Sequence, residues 1–412
     1  MPFASLGLSS ALLHAVDARG YEQPTAIQQA AIPAILRGTD LLALASTGSG
    51  KTAAFALPLL QQLQDRPQQL PRPTHALVLV PTRDLAIQVG DSMRELARQL
   101  ERPVKLAAVY GGVSINPQMM ALRGGADVVV ATPGRLLDLV QHNALKLADL
   151  KVLVLDEADR LLEAGFADEL QRVLALLPAR RQTLLFSATY PATVQGLAQA
   201  VLNEPLRLEM PGGTQTPAAI EQRAVQVDAA RRTPLLRHLL EQQGWSRVLV
   251  FVASKYATEH VAQKLRAGGI AAAAFHGDLS QGARSHVLAD FKAGRLAVVV
   301  ATDVAARGLD IAGLPVVVNY DLPRSPQDHV HRIGRTGRAG QAGLAVSFVS
   351  ATTEAHFRLI EKRQGQRVPR EVVAGFEPTE AAAPPAGNGG IKGKRKSKKD
   401  KLREAAARDG SH

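Results

Sequence analysis

Short apolar runs alternate with helix-like segments along most of this 412-residue chain, and this alternation limits the folds open to it. The runs are four to six residues long and rich in Val, Leu and Ala. Such runs are typical of strands buried on both faces of a parallel sheet, and strands that alternate with helices form right-handed βαβ units. The runs occupy residues 41–45, 76–80, 128–131, 152–155, 183–186, 248–252, 271–275, 297–301, 316–320 and 344–349.

A Pro- and Gly-rich segment separates these runs into two sets. Residues 203–233 contain Pro205, Pro217 and the run Pro211-Gly212-Gly213, a composition that favours a linker. The chain is also longer than most single domains. The sequence therefore predicts an α/β fold of two domains with mostly parallel sheets. The expected parts are a first domain at 1–205, a linker at 206–220, a second domain at 221–372 and a tail at 373–412.

The overall composition excludes several classes of protein. The chain contains no Cys, so disulfides and zinc fingers are excluded. Apolar residues make up 46% of the chain, which is enough for two cores. No apolar stretch is long enough to span a bilayer, and the N-terminus lacks the pattern of a signal peptide. We therefore expect a cytoplasmic protein with no membrane partner.

Positive charge is concentrated near the C-terminus. The formal net charge is +12, and residues 391–403 hold six Lys, two Arg and one Asp, a net charge of +7. An excess of basic over acidic residues favours a polyanionic partner, and nucleic acid is a better candidate than an anionic membrane. The tail cannot bury a core, so we predict that it is disordered and binds RNA. The alternative is a solvated charge run with no ligand.

The first apolar run is followed by Gly-Lys-Thr and a helix-like segment, which is the arrangement of a phosphate loop. Gly48 and Gly50 leave room for backbone N–H groups to approach phosphate oxygens. Lys51 can reach the β- and γ-phosphates of a nucleotide, and the Thr52 hydroxyl can bind magnesium. Ala45 stands where the general pattern has its first Gly. The predicted loop is Ala45, Ser46, Thr47, Gly48, Ser49, Gly50, Lys51 and Thr52.

Two carboxylates, Asp156 and Glu157, follow the apolar run 152–155. Ligands bind at the carboxyl ends of parallel strands, so both side chains are candidates for a site. Asp156 can hold magnesium, partly through water, and Glu157 can orient or deprotonate an attacking water. Acidic residues at a helix start often serve only the helix dipole. The phosphate loop upstream favours the catalytic interpretation.

Two arginines with glycine neighbours lie far downstream. Arg335 and Arg338 are three residues apart, and each follows a glycine, Gly334 or Gly337. Because glycine has no side chain, the two guanidinium groups are left sterically accessible. Arginines directed at a γ-phosphate accelerate hydrolysis about 10³–10⁵-fold in other NTPases. An isolated motif of this kind is more often a solvated basic turn. If the motif acts on the nucleotide, the site is complete only when the two domains close.

In this order the motifs resemble those of the DEAD-box ATP-dependent RNA helicases, most closely the bacterial RhlE-like branch. The resemblance covers about residues 3–365. It implies two RecA-like domains with mostly parallel sheets, a flexible linker, ATP and Mg²⁺ as cofactors, and RNA as the partner. Asp84 stands where the family usually has Glu, and Ser46 where it usually has Gln.

The same resemblance implies further residues on the nucleotide side. Tyr21 and Gln28 match the motif that selects adenine, and Phe3 matches an upstream aromatic that adds to the stacking on the base. A Gln amide can pair with the edge of adenine. Asp303 and Asp310 match nucleotide-side residues of the second domain. The implied catalytic set is Glu157, His331, Arg335 and Arg338.

The resemblance also implies residues that contact RNA and residues that couple the two activities. Hydroxyls, backbone N–H groups and Arg suit phosphate and 2′-OH contacts. Ser187 and Thr189 match the motif that ties ATP binding to RNA remodelling. In the family its hydroxyls connect to the segment that here contains Asp159. The implied RNA contacts are Pro81, Thr82, Arg83, Gly111, Gly112, Thr132, Pro133, Gly134, Arg135 and Thr302.

These expectations together describe an ATPase that RNA stimulates and that separates short duplexes locally. The RNA would be single-stranded or locally duplexed and bound largely without sequence preference, in a ribosomal or RNA-decay assembly. Three alternatives stay open at this point. They are an ATP-switched RNA clamp or annealing chaperone with little unwinding, a DNA helicase or translocase, and a scaffold that needs no turnover.

Overall fold

The computed structural model describes residues 2–45, 48–163, 165–210, 220–306, 313–337 and 342–380, and these form two α/β domains. The first domain contains a parallel sheet in the order β3-β4-β2-β5-β6-β1-β7. The strands are β1 Leu41–Leu44, β2 Ala76–Leu79, β3 Leu106–Val109, β4 Val128–Ala131, β5 Val152–Leu155, β6 Gln182–Ser187 and β7 Leu206–Glu209.

Helices cover both faces of this sheet and bury its apolar strands. One core contains the Phe55 and Phe186 rings, with their centroids 5.5 Å apart. A second core lies on the other face of the sheet. The helices are α1 Ser10–Ala18, α2 Ala26–Leu36, α3 Lys51–Gln64, α4 Arg83–Ala97, α5 Asn116–Ala121, α6 Pro133–Gln141, α7 Ala158–Glu163, α8 Ala167–Ala175 and α9 Ala192–Val201.

The second domain repeats the architecture, with a parallel sheet in the order β10-β11-β9-β12-β13-β8-β14. Its strands are β8 Ile220–Gln226, β9 Val248–Phe251, β10 Ala272–Phe275, β11 Val298–Ala301, β12 Val316–Asn319, β13 Gly343–Val349 and β14 Arg370–Glu371. Its helices are α10 Arg232–Gln243, α11 Lys255–Ala267, α12 Gln281–Lys292, α13 Asp303–Ala306, α14 Pro326–Ile333 and α15 Glu354–Gln364.

The predicted fold class is confirmed, and all ten predicted apolar runs contain a strand. Four strands were not predicted from the sequence, and they lie at or near the sheet edges: β3, β7, β8 and β14. Edge strands bury only one side or are partly polar, so they lack a continuous apolar run. In β3 the residues alternate between half-buried and buried, and β8 carries charged residues after Ile220.

The ends of the two domains differ from the expected boundaries. Strand β7 lies inside the range 206–220 expected to be linker, because Leu206 pairs with Leu41 of β1. Residues 373–380 lie in the range predicted as tail, but Phe376 packs on the core of the second domain and Thr379 hydrogen-bonds to Asp228. The central linker residues 211–219 and the tail residues 381–412 lie outside the described residues.

The parallel arrangement decides where functional side chains gather. In each sheet the carboxyl ends of the strands face one edge, where loops lead into helices. Ligand sites in α/β proteins form at this edge. Within the described ranges, no helix is both long and apolar enough to cross a membrane.

Candidate functional site

The phosphate loop lies between the carboxyl end of β1 and the start of α3. Gly48 and Gly50 have positive φ angles of 83° and 92°, and Gly50 is the N-cap of α3. The N-terminus of a helix favours anions, because its free N–H groups and its dipole both point at them. The buried Lys51 ammonium donates a hydrogen bond of 2.9 Å to the Ala45 carbonyl. Ser49 and Thr52 are half-buried here, and Ser46 and Thr47 lie outside the described residues.

The buried Gln28 side chain links α2 to the phosphate loop. Its Nε2 donates to the Gly50 carbonyl at 3.1 Å, and its Oε1 accepts from the Thr25 backbone N–H at 2.9 Å. Thr25 is the N-cap of α2. The predicted adenine-selecting residue therefore also holds the predicted phosphate loop, and among the described residues the second N–H of its amide has no hydrogen-bond partner.

We expect Gly50→Ala to destabilise the protein by about 1–3 kcal/mol, because the new side chain would sit at a left-handed φ. A Cβ there would also collide with the Gln28 amide and meet Thr25 Oγ1 at 3.0 Å. The change should shift the urea midpoint downwards. Gly196→Ala is the control: that glycine is inside α9 with open space around it, so we expect no loss of stability.

The two aromatic residues predicted for the base behave differently. Tyr21 is half-buried and lines the cleft, with the Arg19 guanidinium 5.7 Å from its ring centroid. Phe3 is only 5% exposed, because its ring packs in the core of the first domain. Tyr21 therefore lines the cleft and Phe3 does not, and the contact of Phe3 with the base stays a prediction.

The carboxylates Asp156 and Glu157 follow β5 directly and are both buried. Burial raises the pKa of Asp156 to about 6, while the Lys51 ammonium acts in the opposite direction. Asp156 Oδ1 accepts from the Glu157 backbone N–H at 2.9 Å. Glu157 has a φ of 50°, and its Oε2 accepts from Arg160 at 3.2 Å. The strained backbone points to a position fixed for function.

The raised pKa of Asp156 has a consequence for stability without ligand. Between its ordinary value of 3.8 and about 6, the folded state keeps a proton that the unfolded state has released. The free energy of unfolding therefore falls as the pH rises through this window. We expect ligand-free Asp156→Asn to be more stable than wild type by about 2–3 kcal/mol at about pH 8, with no difference near pH 4. Urea unfolding at both pH values tests this, and an equal gain at both would contradict it.

The predicted coupling residues form one hydrogen-bonded group between α7 and the end of β6. Asp159 Oδ2 accepts from the Thr189 N–H at 3.0 Å and from its hydroxyl at 2.7 Å. Ser187 Oγ accepts from the Asp159 N–H at 3.3 Å and donates to the Thr189 carbonyl at 2.7 Å. These hydrogen bonds tie Asp159 at the start of α7 to the segment 187–189.

The second domain contributes Arg335 to the nucleotide cleft of the first. This cleft has a volume of about 1120 Å³, and the buried Arg335 lines it together with Lys51, Asp156 and Glu157. His331 lies nearby in a smaller space between Arg160 and the second domain. Arg338 and Asp310 lie outside the described residues. The predicted convergence of the two domains is thus present for Arg335.

Asp303 is engaged by a neighbour that the sequence analysis did not single out. Arg332 donates to both Asp303 carboxylate oxygens, at 2.6 and 2.7 Å. Its other nitrogen donates to Asn319 Oδ1 at 3.1 Å, and its guanidinium lies 4.9 Å from the Phe251 ring centroid. This bidentate pair holds Asp303 at the small space that His331 also lines.

An ion pair connects the two domains directly beside the cleft. Arg284 of α12 donates through Nε to Asp84 Oδ1 at 3.3 Å and through a second nitrogen to Oδ2. Arg284 is only 3% exposed and also donates to the His276 carbonyl at 3.1 Å. Removing one partner of such a buried pair leaves an uncompensated charge. The pair favours the arrangement in which the domains meet.

The residues predicted to contact RNA in the first domain gather at the ends of β3 and β4. The Gly111 N–H donates to Thr132 Oγ1 at 3.4 Å, and Arg135 donates to the Val113 carbonyl at 2.7 Å. Arg135 is largely buried, and its hydrogen bond to Val113 supports the loop from the protein interior. The remaining members are Pro81, Thr82, Arg83, Gly112, Pro133 and Gly134, which lie in the loops and first turns after β2, β3 and β4.

Thr302 occupies the matching edge of the second sheet. It follows β11 directly, and its Oγ1 accepts from the Ala305 backbone N–H at 3.4 Å. The residue is half-buried, so part of its surface is open to a ligand. Ligand sites form at this edge of an α/β sheet, and the contact of Thr302 with RNA stays a prediction.

Family models match both domains. The DEAD/DEAH box helicase model matches residues 25–197, and the helicase conserved C-terminal domain model matches residues 231–340. The RNA helicase CshA of Listeria monocytogenes is 38% identical over 366 residues, which cover 89% of this chain and 69% of that protein. The chain belongs to the DEAD-box helicase family.

Other relatives place limits on this assignment. The ATP-dependent RNA helicase DeaD of Escherichia coli K12 is 43% identical over 367 residues, which cover 89% of this chain. They cover 58% of DeaD, so this DEAD-box chain spans less than two thirds of that relative. The predicted RhlE-like branch is not distinguished by these relatives and stays a prediction.

Solved structures share the fold of this DEAD-box chain. Yeast Dbp5 bound to RNA and ADP BeF3 has a TM-score of 0.80 at 32% identity, covering 90% of this chain and 95% of that one. A DEAD-box protein from Methanococcus jannaschii has a TM-score of 0.54 at 38% identity, covering 90% and 99%. The two domains are therefore RecA-like, as the resemblance implied.

Proposed function

We propose that this DEAD-box protein is an ATP-dependent RNA helicase in which RNA stimulates ATP hydrolysis and domain closure unwinds short duplexes locally. The observation that carries the proposal is the position of Arg335. It belongs to the second domain yet lines the same cleft as Lys51 and Glu157 of the first. Hydrolysis that needs groups from both domains depends on closure, and closure is the step that bound RNA can promote.

Each group in the cleft has a role that its placement supports. Backbone N–H groups at the start of α3 and the Lys51 ammonium would bind phosphate oxygens of ATP. Glu157, held by Arg160, would orient or deprotonate the attacking water. Arg335 would neutralise charge that develops on the γ-phosphate. Tyr21 and Gln28 line the same cleft and would contact the base.

Magnesium fits the oxygen groups of the same cleft. The Thr52 hydroxyl and the Asp156 carboxylate both line it, and Mg²⁺ is usually held by one or two carboxylates together with substrate phosphates. No cluster of three or more His, Cys, Asp or Glu that could hold a metal occurs in the described part of the chain. We therefore assign Thr52 and Asp156 as the side chains that would hold magnesium beside ATP, where it would neutralise phosphate charge.

Coupling between the two substrates would pass through closure. The Asp84–Arg284 pair joins the domains beside the cleft, and Asp159 ties α7 to Ser187 and Thr189. The similarity to Dbp5 bound to RNA and ADP BeF3 supports the view that this arrangement resembles a closed, liganded state. Opening would separate Arg335 from Lys51 and would stop hydrolysis.

RNA would lie along the carboxyl edges of both sheets and be held through its backbone. The loops at Gly111 and Thr132 and the Thr302 hydroxyl offer N–H and O–H groups there. Such contacts read phosphate and ribose, so binding would be largely independent of sequence. We propose a cytoplasmic role in a ribosomal or RNA-decay assembly.

A strand-displacement assay tests the proposal. A short RNA duplex with a single-stranded overhang is mixed with the protein and either ATP or no nucleotide, and release of the labelled strand is followed on a native gel. We expect release that requires ATP and hydrolysis. ATP-dependent RNA affinity without strand release would instead establish the ATP-switched clamp.

A further inference from the structure

A groove with four cations lies at the amino-terminal edge of the first sheet, opposite the ATP cleft. Lys151 directly precedes β5, and Arg180 and Arg181 directly precede β6. Arg66 follows the end of α3 and completes the set. The groove has a volume of about 710 Å³. We call these four residues and the space between them the basic groove.

Among the described residues, the four cations of the basic groove have few counter-charges: Asp65 in the lining, and the Asp40 carboxylate, which acts on Arg181 without forming an ion pair. None of them forms an ion pair with a carboxylate within the described ranges, whereas Arg72 and Arg102 of the same domain both pair with Asp127. Asp65 is the single carboxylate among the lining residues, so the lining has a net charge of +3. Unpaired cations gathered in a concavity attract anions.

The pKa of the neighbouring His75 reflects the charge of Arg66 in the basic groove. His75 directly precedes β2 at the same edge of the sheet, and its pKa is lowered by burial and then by the Arg66 charge, although Asp127 opposes this. Burial lowers the pKa of Arg181, with Asp40 opposing. The Arg181 Nε atom is shielded from solvent and has no hydrogen-bond partner among the described residues. The groove therefore holds positive charge and an unused donor.

The lining indicates which anion the groove would take. Its other members are Gly38, Gln62, Val152 and Gln182, so the groove contains no aromatic ring on which a base could stack. Arg and Lys both bind phosphate oxygens, so several cations along one concave surface can bind successive phosphates of a nucleic-acid backbone. We propose that the basic groove binds the phosphate backbone of RNA that extends beyond the strand held at the carboxyl edge. This inference rests on the proposed RNA helicase function.

The test measures how salt weakens RNA binding. The double variant Lys151→Gln/Arg180→Gln removes two exposed side chains for which no internal hydrogen bond is described, so folding should be unaffected. For a long single-stranded RNA, we expect the slope of log Kobs against log salt to become shallower by about 1.4, since each lost phosphate contact contributes about 0.7. For a short strand that occupies only the carboxyl edges of the two sheets, we expect no change. ATPase activity without RNA should also be unchanged.

A matched control removes the effect of net charge. Lys264→Gln/Arg363→Gln loses the same two charges from exposed helix positions of the second domain, and it should keep the wild-type slope. An unchanged slope in the groove variant, or an equal change in the control, would overturn the proposal. Inorganic tripolyphosphate is titrated in parallel. Variant-sensitive binding of tripolyphosphate with an unchanged RNA slope would assign the groove to free polyphosphate and also overturn it.

The same experiment distinguishes a wrong assignment of the basic groove from a wrong proposed function. A wild-type protein that binds RNA and shows RNA-stimulated ATPase activity, beside a variant with an unchanged salt slope, refutes the basic groove alone. A wild-type protein with neither RNA binding nor stimulation refutes the proposed function, and the groove with it.

Discussion

Arg335→Ala should lower the rate of ATP turnover about 10³–10⁵-fold, the range that a γ-phosphate arginine contributes in other NTPases. The side chain is buried in the cleft between the domains, opposite Lys51 and Asp156. Without it, charge that develops on the γ-phosphate would lack a partner from the second domain. Steady-state ATPase measurements with saturating RNA give the turnover number, and equilibrium titration of labelled ATP gives the affinity.

Two control variants separate this role from general effects of charge. Arg335→Lys keeps the charge but loses the planar guanidinium, so we expect only partial recovery. Arg324→Ala removes an exposed arginine of the same domain and should leave turnover unchanged. Normal turnover in Arg335→Ala would remove Arg335 from the reaction and, with it, the argument that closure completes the site.

Glu157→Gln is the second change with a large expected effect. We expect turnover to fall about 10²–10⁴-fold with ATP affinity nearly unchanged, because a positioned general base contributes in this range. Gln keeps the size of the side chain and can still accept from Arg160, so the buried pair loses charge but not its packing. Single-turnover hydrolysis of bound ATP isolates the chemical step.

A distant glutamate provides the control for Glu157→Gln. Glu101→Gln makes the same chemical change at an exposed position and should have no effect on turnover. If Glu157→Gln also hydrolyses ATP at the wild-type rate, another group must activate the water. A fall in ATP affinity together with the rate would instead show that Glu157 supports nucleotide binding.

The central strands could be predicted from the sequence, while the edge strands could not. Strands β4 and β5 are buried on both faces, so every residue in them is apolar and the run is conspicuous. Strand β7 has Arg207 and Glu209 in a four-residue edge strand, and β14 has only two residues. Their pairing depends on neighbours that are distant in sequence, which local composition does not report.

In the candidate site, too, residues within one short motif could be predicted from the sequence, whereas pairs that are distant in sequence could not. Asp156, Glu157 and the phosphate loop could be predicted because each is one short motif after a strand. The Asp84–Arg284 pair joins residues 200 positions apart, so no local pattern indicates it. The Arg332 pair with Asp303 was missed for the same reason, although an Arg next to His331 was visible in the motif.

Phe3 has a role that rests on the resemblance alone and stays a prediction, while its packing is shown by the structure. An aromatic residue upstream of the adenine motif was expected to stack on the base. In this chain it follows Pro2 in a short 3₁₀ segment, Phe3–Leu6, whose apolar side chains pack into the core. Burial of the Phe3 ring stabilises the fold, because exposing a Phe ring to water costs about 1.5–3 kcal/mol.

The most direct test of the account is the steady-state ATPase rate with no nucleic acid, with single-stranded RNA and with single-stranded DNA of the same sequence. We expect strong stimulation by RNA alone, because only RNA would favour the closed arrangement that brings Arg335 to Lys51 and Glu157. Equal stimulation by DNA would replace the RNA helicase with a broader helicase. A rate independent of both nucleic acids would contradict the central claim that substrate binding completes the catalytic site.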